Sequence, residues 1–151
     1  MIFACHNPEI LRDVIDEWVI TCNDGIFDLK ANTDNVIDHL YMMLKTPETL
    51  LLVLMDEQRP IGFIGVTTFI SPISNNKMAN EHLWYVKEKS RGKESLQLVI
   101  DAMKWAKSIG CTHFLGNASM LASNLHDQVC KIYKEFGMTK FETTFIKTLE
   151  V

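Results

Sequence analysis

No apolar run in this sequence reaches the roughly 18–20 residues that a membrane-spanning helix needs. The longest, Leu50 to Met55, has the length of a buried strand. Ahead of it, Met1-Ile2-Phe3-Ala4-Cys5-His6-Asn7 has no basic region followed by a long apolar stretch, so a secretory leader is not expected. The four cysteines (Cys5, Cys22, Cys111, Cys130) form no C-x-x-C pair and no zinc spacing. His113 stands two residues from Cys111 with nothing nearby to complete a ligand set, so no metal is expected. The thiols read as structural cysteines of a reducing, cytoplasmic compartment. A net charge of −4 argues against a general nucleic-acid binder. No repeat, linker or low-complexity segment interrupts the 151 residues, a length that suits one domain, residues 1–151, with one core.

What is present is strong periodicity. Asn7 can cap a helix, Pro8 suits its first turn and Glu9 sits at its positive end. Ile10, Leu11, Val14, Ile15, Trp18 and Val19 then recur at helical spacing to about Cys22, and Asn23-Asp24-Gly25 ends the run. A second helix starts near Thr33-Asp34, presents Val36, Ile37, Leu40, Met43 and Leu44, and closes before Pro47. Leu50–Met55 and Ile61–Ile70 predict a hairpin turning over Asp56–Pro60, with Gly62 and Gly65 marking a bulge or a close backbone neighbour. Glu81–Val86 predicts a strand, Glu94–Ser108 a long helix stopped by Gly110, and Thr112–Leu115 a short strand. A helix over Leu125–Phe136 ends at Gly137, and Phe141–Leu149 predicts a closing strand. The order is (β)ααβββαβαβ, with a stub strand at residues 2–4, in an α/β fold.

The segment from Leu83 to Gly110 carries the chemistry. A helix N-terminus offers free N–H groups and partial positive charge, a ready seat for a pyrophosphate. Lys87, Lys89, Arg91 and Lys93 surround that point, and Gly92 would let a phosphate approach the backbone. Val86, Arg91-Gly92-Lys93, Leu98-Val99, Ala106 and Gly110 resemble the cofactor segment of the GNAT (general N-acetyltransferase) superfamily. Tyr133-Lys134-Glu135-Phe136-Gly137-Met138 is similar to its second motif, with Met138 in the aromatic place, and Glu142–Leu149 to its final strand. The resemblance covers residues 50–150 well and the helical N-terminus in order only.

The resemblance implies a GNAT fold, a central mixed and mostly antiparallel sheet flanked by helices. It also implies transfer of an acetyl group from acetyl-CoA, a cosubstrate, to a primary amine by direct attack in a ternary complex. Cofactor contacts would come from Val86, where backbone groups meet the pantetheine arm, and from Arg91, Gly92, Lys93 and Ser95 around the pyrophosphate. His126 stands where the superfamily often has an asparagine on the cofactor. The phosphate loop departs from the family pattern: counting back from Ala106 puts Ser95 at the last small position with the loop one residue short, and Glu94 brings a negative charge close by. The alternative is a GNAT-fold binding or structural protein without activity.

The resemblance makes Tyr133 the catalytic candidate, since the matching tyrosine of the family lies near the departing sulfur. A thiol near ~8.5 and a tyrosine near ~10 make full proton transfer uphill by about 2 kcal/mol, so hydrogen bonding is at least as good a role as donation. Glu81 and His82 begin the strand leading to the cofactor loop and point to opposite faces. At most one can face the acceptor, and Glu81 is the candidate base. Cys111 and Cys130 are expected to lack the base and orienting partner that a nucleophile needs. Residues 1–60 hold 11 acids and 4 bases, whereas residues 61–151 hold 8 acids and 11 bases. That split fits an acidic acceptor side, with Asp24, Phe27 and Asp28 in the loop between the first helices, facing a basic cofactor side. The expected partner is a small-molecule or peptide amine. A homodimer stays open; no membrane or nucleic-acid partner is expected.

Overall fold

The computed structural model describes residues 1–149, the side chains of 122–124 apart. Strand β1 (Ile2–Ala4) leads through a 3-10 turn at Pro8–Leu11 into α1 (Arg12–Asn23), and α2 (Thr33–Lys45) follows. The turn is capped as the sequence suggests, Glu9 N–H donating to Asn7 Oδ1 at 3.2 Å. Next come β2 (Leu50–Asp56), β3 (Arg59–Ile70) and β4 (Lys77–Val86), then α3 (Lys93–Ser108), β5 (His113–Leu115) and α4 (Ser123–Glu135).

The strands form one sheet in the order β1-β2-β3-β4-β5, antiparallel throughout except for the parallel pair β4–β5. Both faces are covered, which explains why β2 reads as an unbroken apolar run. Leu51 and Val53 pack with Phe63 and Tyr85 against Leu11, Val14, Ile15, Ile37 and Leu40 on one face. Leu52 and Leu54 join Ile64, Val66 and Ala79 under Leu98, Val99, Ala102 and Tyr133 on the other.

Two irregularities shape β4. Gly65 pairs with Leu83 but Val66 pairs with Glu81, so His82 is an extra residue in the strand. Further on, a Cβ at Gly62 would lie 2.7 Å from the Val86 side chain, so only glycine lets β3 and β4 meet this closely there. β4 also starts earlier than its composition suggests: Lys77 to Asn80 are drawn into the ladder by the length of β3, down to Ile70.

The closing strand expected over Phe141–Leu149 is not formed. Residues 138–149 carry no regular structure, and Phe141, Phe145 and Leu149 are 67%, 89% and 81% exposed. Aromatic and β-branched residues favour a pleated, half-buried surface. Here no neighbouring strand supplies one, because β5 offers only three residues of edge.

Candidate active site

β5 accompanies β4 only from Met78 to Asn80, and the two strands then part. Asn117 marks the point of separation, its side-chain amide donating to Asn80 Oδ1 at 2.9 Å and to the Glu81 carbonyl. β4 continues without β5, still paired with β3, to Val86. Such a crevice at the carboxyl ends of parallel strands is where open α/β sheets bind ligands.

Glu81 and Tyr133 meet in this crevice. Tyr133 Oη donates to Glu81 Oε1 at 2.6 Å, and both side chains are buried. Burial pushes the Glu81 carboxyl up to about 8, against the hydrogen bonds from Tyr133 and Asn117. Tyr133 is raised above the ordinary phenol range, by burial first and then by the charge of Glu81 and the bond to it. The phenol therefore stays protonated, while Glu81 changes charge near neutral pH. Gly116 makes room for the ring: a Cβ there would lie 2.6 Å from Tyr133 Cζ. The Trp84 ring stands 5.9 Å from that of Tyr133, and its Nε1 is buried without a hydrogen-bond partner among the described residues. A buried orphan donor is costly, and a ligand carbonyl in the crevice would satisfy it.

The basic loop after β4 is partly engaged within the chain. Arg91 turns back, donating from Nε to the Val86 carbonyl at 2.9 Å and lying 5.3 Å above the Tyr85 ring. Val86 is thus buried and its carbonyl already has a donor. Lys87 pairs with Asp13 of α1. Ser95 is a cap: its Oγ accepts from Gly92 N–H at 3.1 Å and its own N–H donates to the Gly92 carbonyl at 3.0 Å. The expectation that the Ser95 backbone N–H holds a pyrophosphate meets a group already bonded. What remains at this end is the first turn of α3, with the N–H groups of Lys93 and Glu94 ahead of the helical ladder and the side chains of Lys89 and Lys93 exposed. Glu94 lines a cleft with Met1, Ile2, Leu54, Gln97 and Asp101, towards β1 and away from the crevice. The free N–H groups and exposed lysines at this end fit an anionic group, carried by the helix start rather than by Ser95.

His126 of α4 is held on both sides. Its Nδ1 bonds the Ala118 carbonyl at 3.0 Å and its Nε2 lies 3.6 Å from Cys130 Sγ. Cys130, expected to lack both a base and an orienting partner, has both; the i,i+4 spacing of His126 and Cys130 on a helix was the signal in the sequence. On the opposite face of β4, His82 Nε2 lies 2.5 Å from His39 Nε2 of α2. Asp24 caps α1, whereas Phe27 and Asp28 line a cleft with Ile26, Leu29, Ile146 and Thr148. Trp84, Gly116 and Asn117 are the site residues that sequence reasoning missed; no spacing or motif announces them.

No family model matches the sequence, and no curated protein matches it. Solved structures do. A GNAT family acetyltransferase from Staphylococcus aureus is 16% identical with a TM-score of 0.66, over 99% of this chain and 98% of that one. A ribosomal-protein-alanine N-acetyltransferase from Brucella melitensis biovar Abortus is 12% identical with a TM-score of 0.71, again over 99% of this chain and 98% of that one. An aminoglycoside 6'-N-acetyltransferase from Acinetobacter haemolyticus is 14% identical with a TM-score of 0.69, over 100% and 99%. With these structures covering 98% or more of both partners, the chain has the fold of the GNAT acetyltransferases.

Proposed function

We propose that the protein is an N-acetyltransferase that moves an acetyl group from acetyl-CoA to a primary amine by direct attack. The observation that carries this reading is the buried Glu81–Tyr133 pair, set beside the orphan Trp84 N–H where β4 and β5 part. Acetyl-CoA would supply an activated thioester carbonyl and a thiolate leaving group. The first turn of α3, with Lys89, Arg91, Gly92 and Lys93 around it, would hold its phosphates, and the crevice along β4 to Val86 its arm.

The pair divides the proton work. Tyr133 alone is a poor acid, because its phenol is raised further by burial. Glu81 is a good one: at about 8 its carboxyl nearly matches an ordinary thiol near ~8.5. With the carboxyl protonated, its O–H would donate to Tyr133 Oη across the same 2.6 Å and free the phenol proton to pass to the departing sulfur, so Tyr133 would conduct and Glu81 supply. The amine, on bonding to the acyl carbon, sheds a proton that returns Glu81 to its acid form. Both protons are then accounted for by one carboxyl, with no charged phenolate at any stage.

Calorimetry with acetyl-CoA tests the reading directly. Binding at 100 times the dissociation constant should add about 2.7 kcal/mol to stability. Free thiol should then accumulate over repeated turnovers only when an amine is supplied. The absence of both heat and a melting shift at millimolar acetyl-CoA would refute the donor assignment.

A further inference from the structure

The direct-attack reading has no use for the thiol on α4, yet that thiol is assembled differently from the others. Cys5 donates to the Asn7 carbonyl, and burial raises its pKa along with those of Cys22 and Cys111. Cys130 alone of the four faces an imidazole, at 3.6 Å.

The tautomer of that imidazole follows from its partners. A backbone carbonyl can only accept, so the bond of 3.0 Å between His126 Nδ1 and Ala118 places the ring proton on Nδ1. With the proton on Nδ1, Nε2 is the nitrogen that faces Cys130 and can take its S–H proton. Nucleophile, base and a third group that orients the base are thus in line, the arrangement that activates a weak nucleophile. His126, Cys130 and Tyr133 lie at spacings of four and three residues, hence on one face of α4 with neighbouring Cβ atoms about 5–6 Å apart. Tyr133 faces Glu81 in the crevice, so Cys130 stands one turn from the place assigned to the donor sulfur. Both Cys130 and His126 are half-buried, which limits competition from water.

We propose that Cys130, with His126 as its base, is a nucleophilic thiol that takes the acyl group from a thioester donor when no amine is bound. The acylation by acetyl-CoA rests on the donor reading above. Cys130 Sγ bonds to the acyl carbon while the bond from that carbon to the donor sulfur breaks. The thiol proton moves to His126 Nε2 and then to the departing sulfur. One thioester replaces another, so no oxidant or reductant is involved.

The test incubates the protein, without amine, with acetyl-CoA and separately with S-acetyl-N-acetylcysteamine, a thioester lacking the nucleotide. Peptide mass mapping reads acetylation of each cysteine over time. Cys130 should be acetylated about 100-fold faster than Cys111. His126→Gln should bring it down to the Cys111 rate, and Cys130→Ser should carry no label at that position. Alkylation by iodoacetamide should show the same preference for Cys130 in the unsubstituted protein, which needs no variant to fold. Equal labelling of Cys130 and Cys111, or a Cys130 rate untouched by His126→Gln, overturns the proposal. If acetyl-CoA binds and amines turn over while neither thioester labels Cys130, the nucleophile falls and the donor reading stands. If acetyl-CoA fails to bind while the short thioester labels Cys130 through His126, the donor reading falls and the nucleophile stands.

Discussion

Glu81 and His82 are consecutive in the chain and stand in opposite surroundings. Glu81 turns into the α3–α4 side, 3% exposed, and reaches a residue 52 positions away. His82, the extra residue of the bulge, turns to the α1–α2 side and meets His39 at the surface. The two imidazole rings are 24° from coplanar with centroids 4.7 Å apart, the separation that two rings meeting nitrogen to nitrogen across 2.5 Å require. One nitrogen donates and the other accepts, so the bond needs at least one neutral ring. The contrast shows how strand alternation sorts chemistry: consecutive residues face opposite sides of the sheet, so neighbouring polar groups serve two separate compartments, one dry and one wet.

Removing the Tyr133 hydroxyl should break the dry side most. Tyr133→Phe is expected to lower turnover about 100-fold while the dissociation constant of acetyl-CoA stays within about twofold, because the hydroxyl matters as the sulfur departs. Steady-state kinetics beside calorimetry would separate the two, and unchanged turnover would return Tyr133 to a packing role.

The pH dependence of stability sharpens the comparison, since the two residues act with opposite sign. Glu81 has its carboxyl raised to about 8, so the folded protein holds a proton that the unfolded chain has lost. Its contribution is full below the ordinary carboxylate range and disappears as pH rises through about 8. From pH 6 to pH 8 this should cost about 2 kcal/mol in urea unfolding, and Glu81→Gln should abolish the decline. His82 is held below its ordinary value, by burial first and then by His39. Its contribution is present above the ordinary histidine range and lost as pH falls through the lowered value. His82→Gln should flatten the acid side and leave the alkaline decline in place.

Gly116→Ala should push the Tyr133 ring away from Glu81, because the added methyl would sit 2.6 Å from it. A loss of about 1–2 kcal/mol in urea unfolding is expected. The alkaline decline should extend to higher pH as well, because the Tyr133 hydrogen bond that lowers the Glu81 carboxyl is lost, which a defect in packing alone would not produce.

The smallest effect concerns the acceptor. Asp28→Asn should reduce a preference for cationic over anionic amines by a few-fold at low salt, and less at 0.15 M, where charges beyond about 8 Å are screened. A preference for acidic amines, or a cationic preference unmoved by the substitution, would remove the acidic loop from the acceptor path.

The sequence carried the helices well, because Val14-Ile15 and Ile37-Leu40 declare their faces by spacing alone. It named Glu81 and Tyr133 separately, and set Glu81 and His82 on opposite faces by strand alternation. It could not join Glu81 to Tyr133, since that depends on the bulge at Gly65 and on the space at Gly116, neither of which has a linear signature. The tail failed for the converse reason. Phe141 and Phe145 have strand propensity in full, but propensity describes a surface that a neighbour must complete.

The short β4–β5 ladder sets how the crevice opens. Three residues of β5, latched by the Asn117 side chain, are its tie to the rest of the sheet, whereas β3 and β4 share a ladder from Gly62–Val86 to Ile70–Lys77. Local opening costs least where the fewest buried contacts must separate. Backbone amides of Phe114 and Leu115 should therefore exchange with deuterated solvent well before those of Val53 or Ile64. A ligand wedged between the parted strands should slow that exchange at β5 alone, reporting its arrival from the edge of the sheet rather than from its centre.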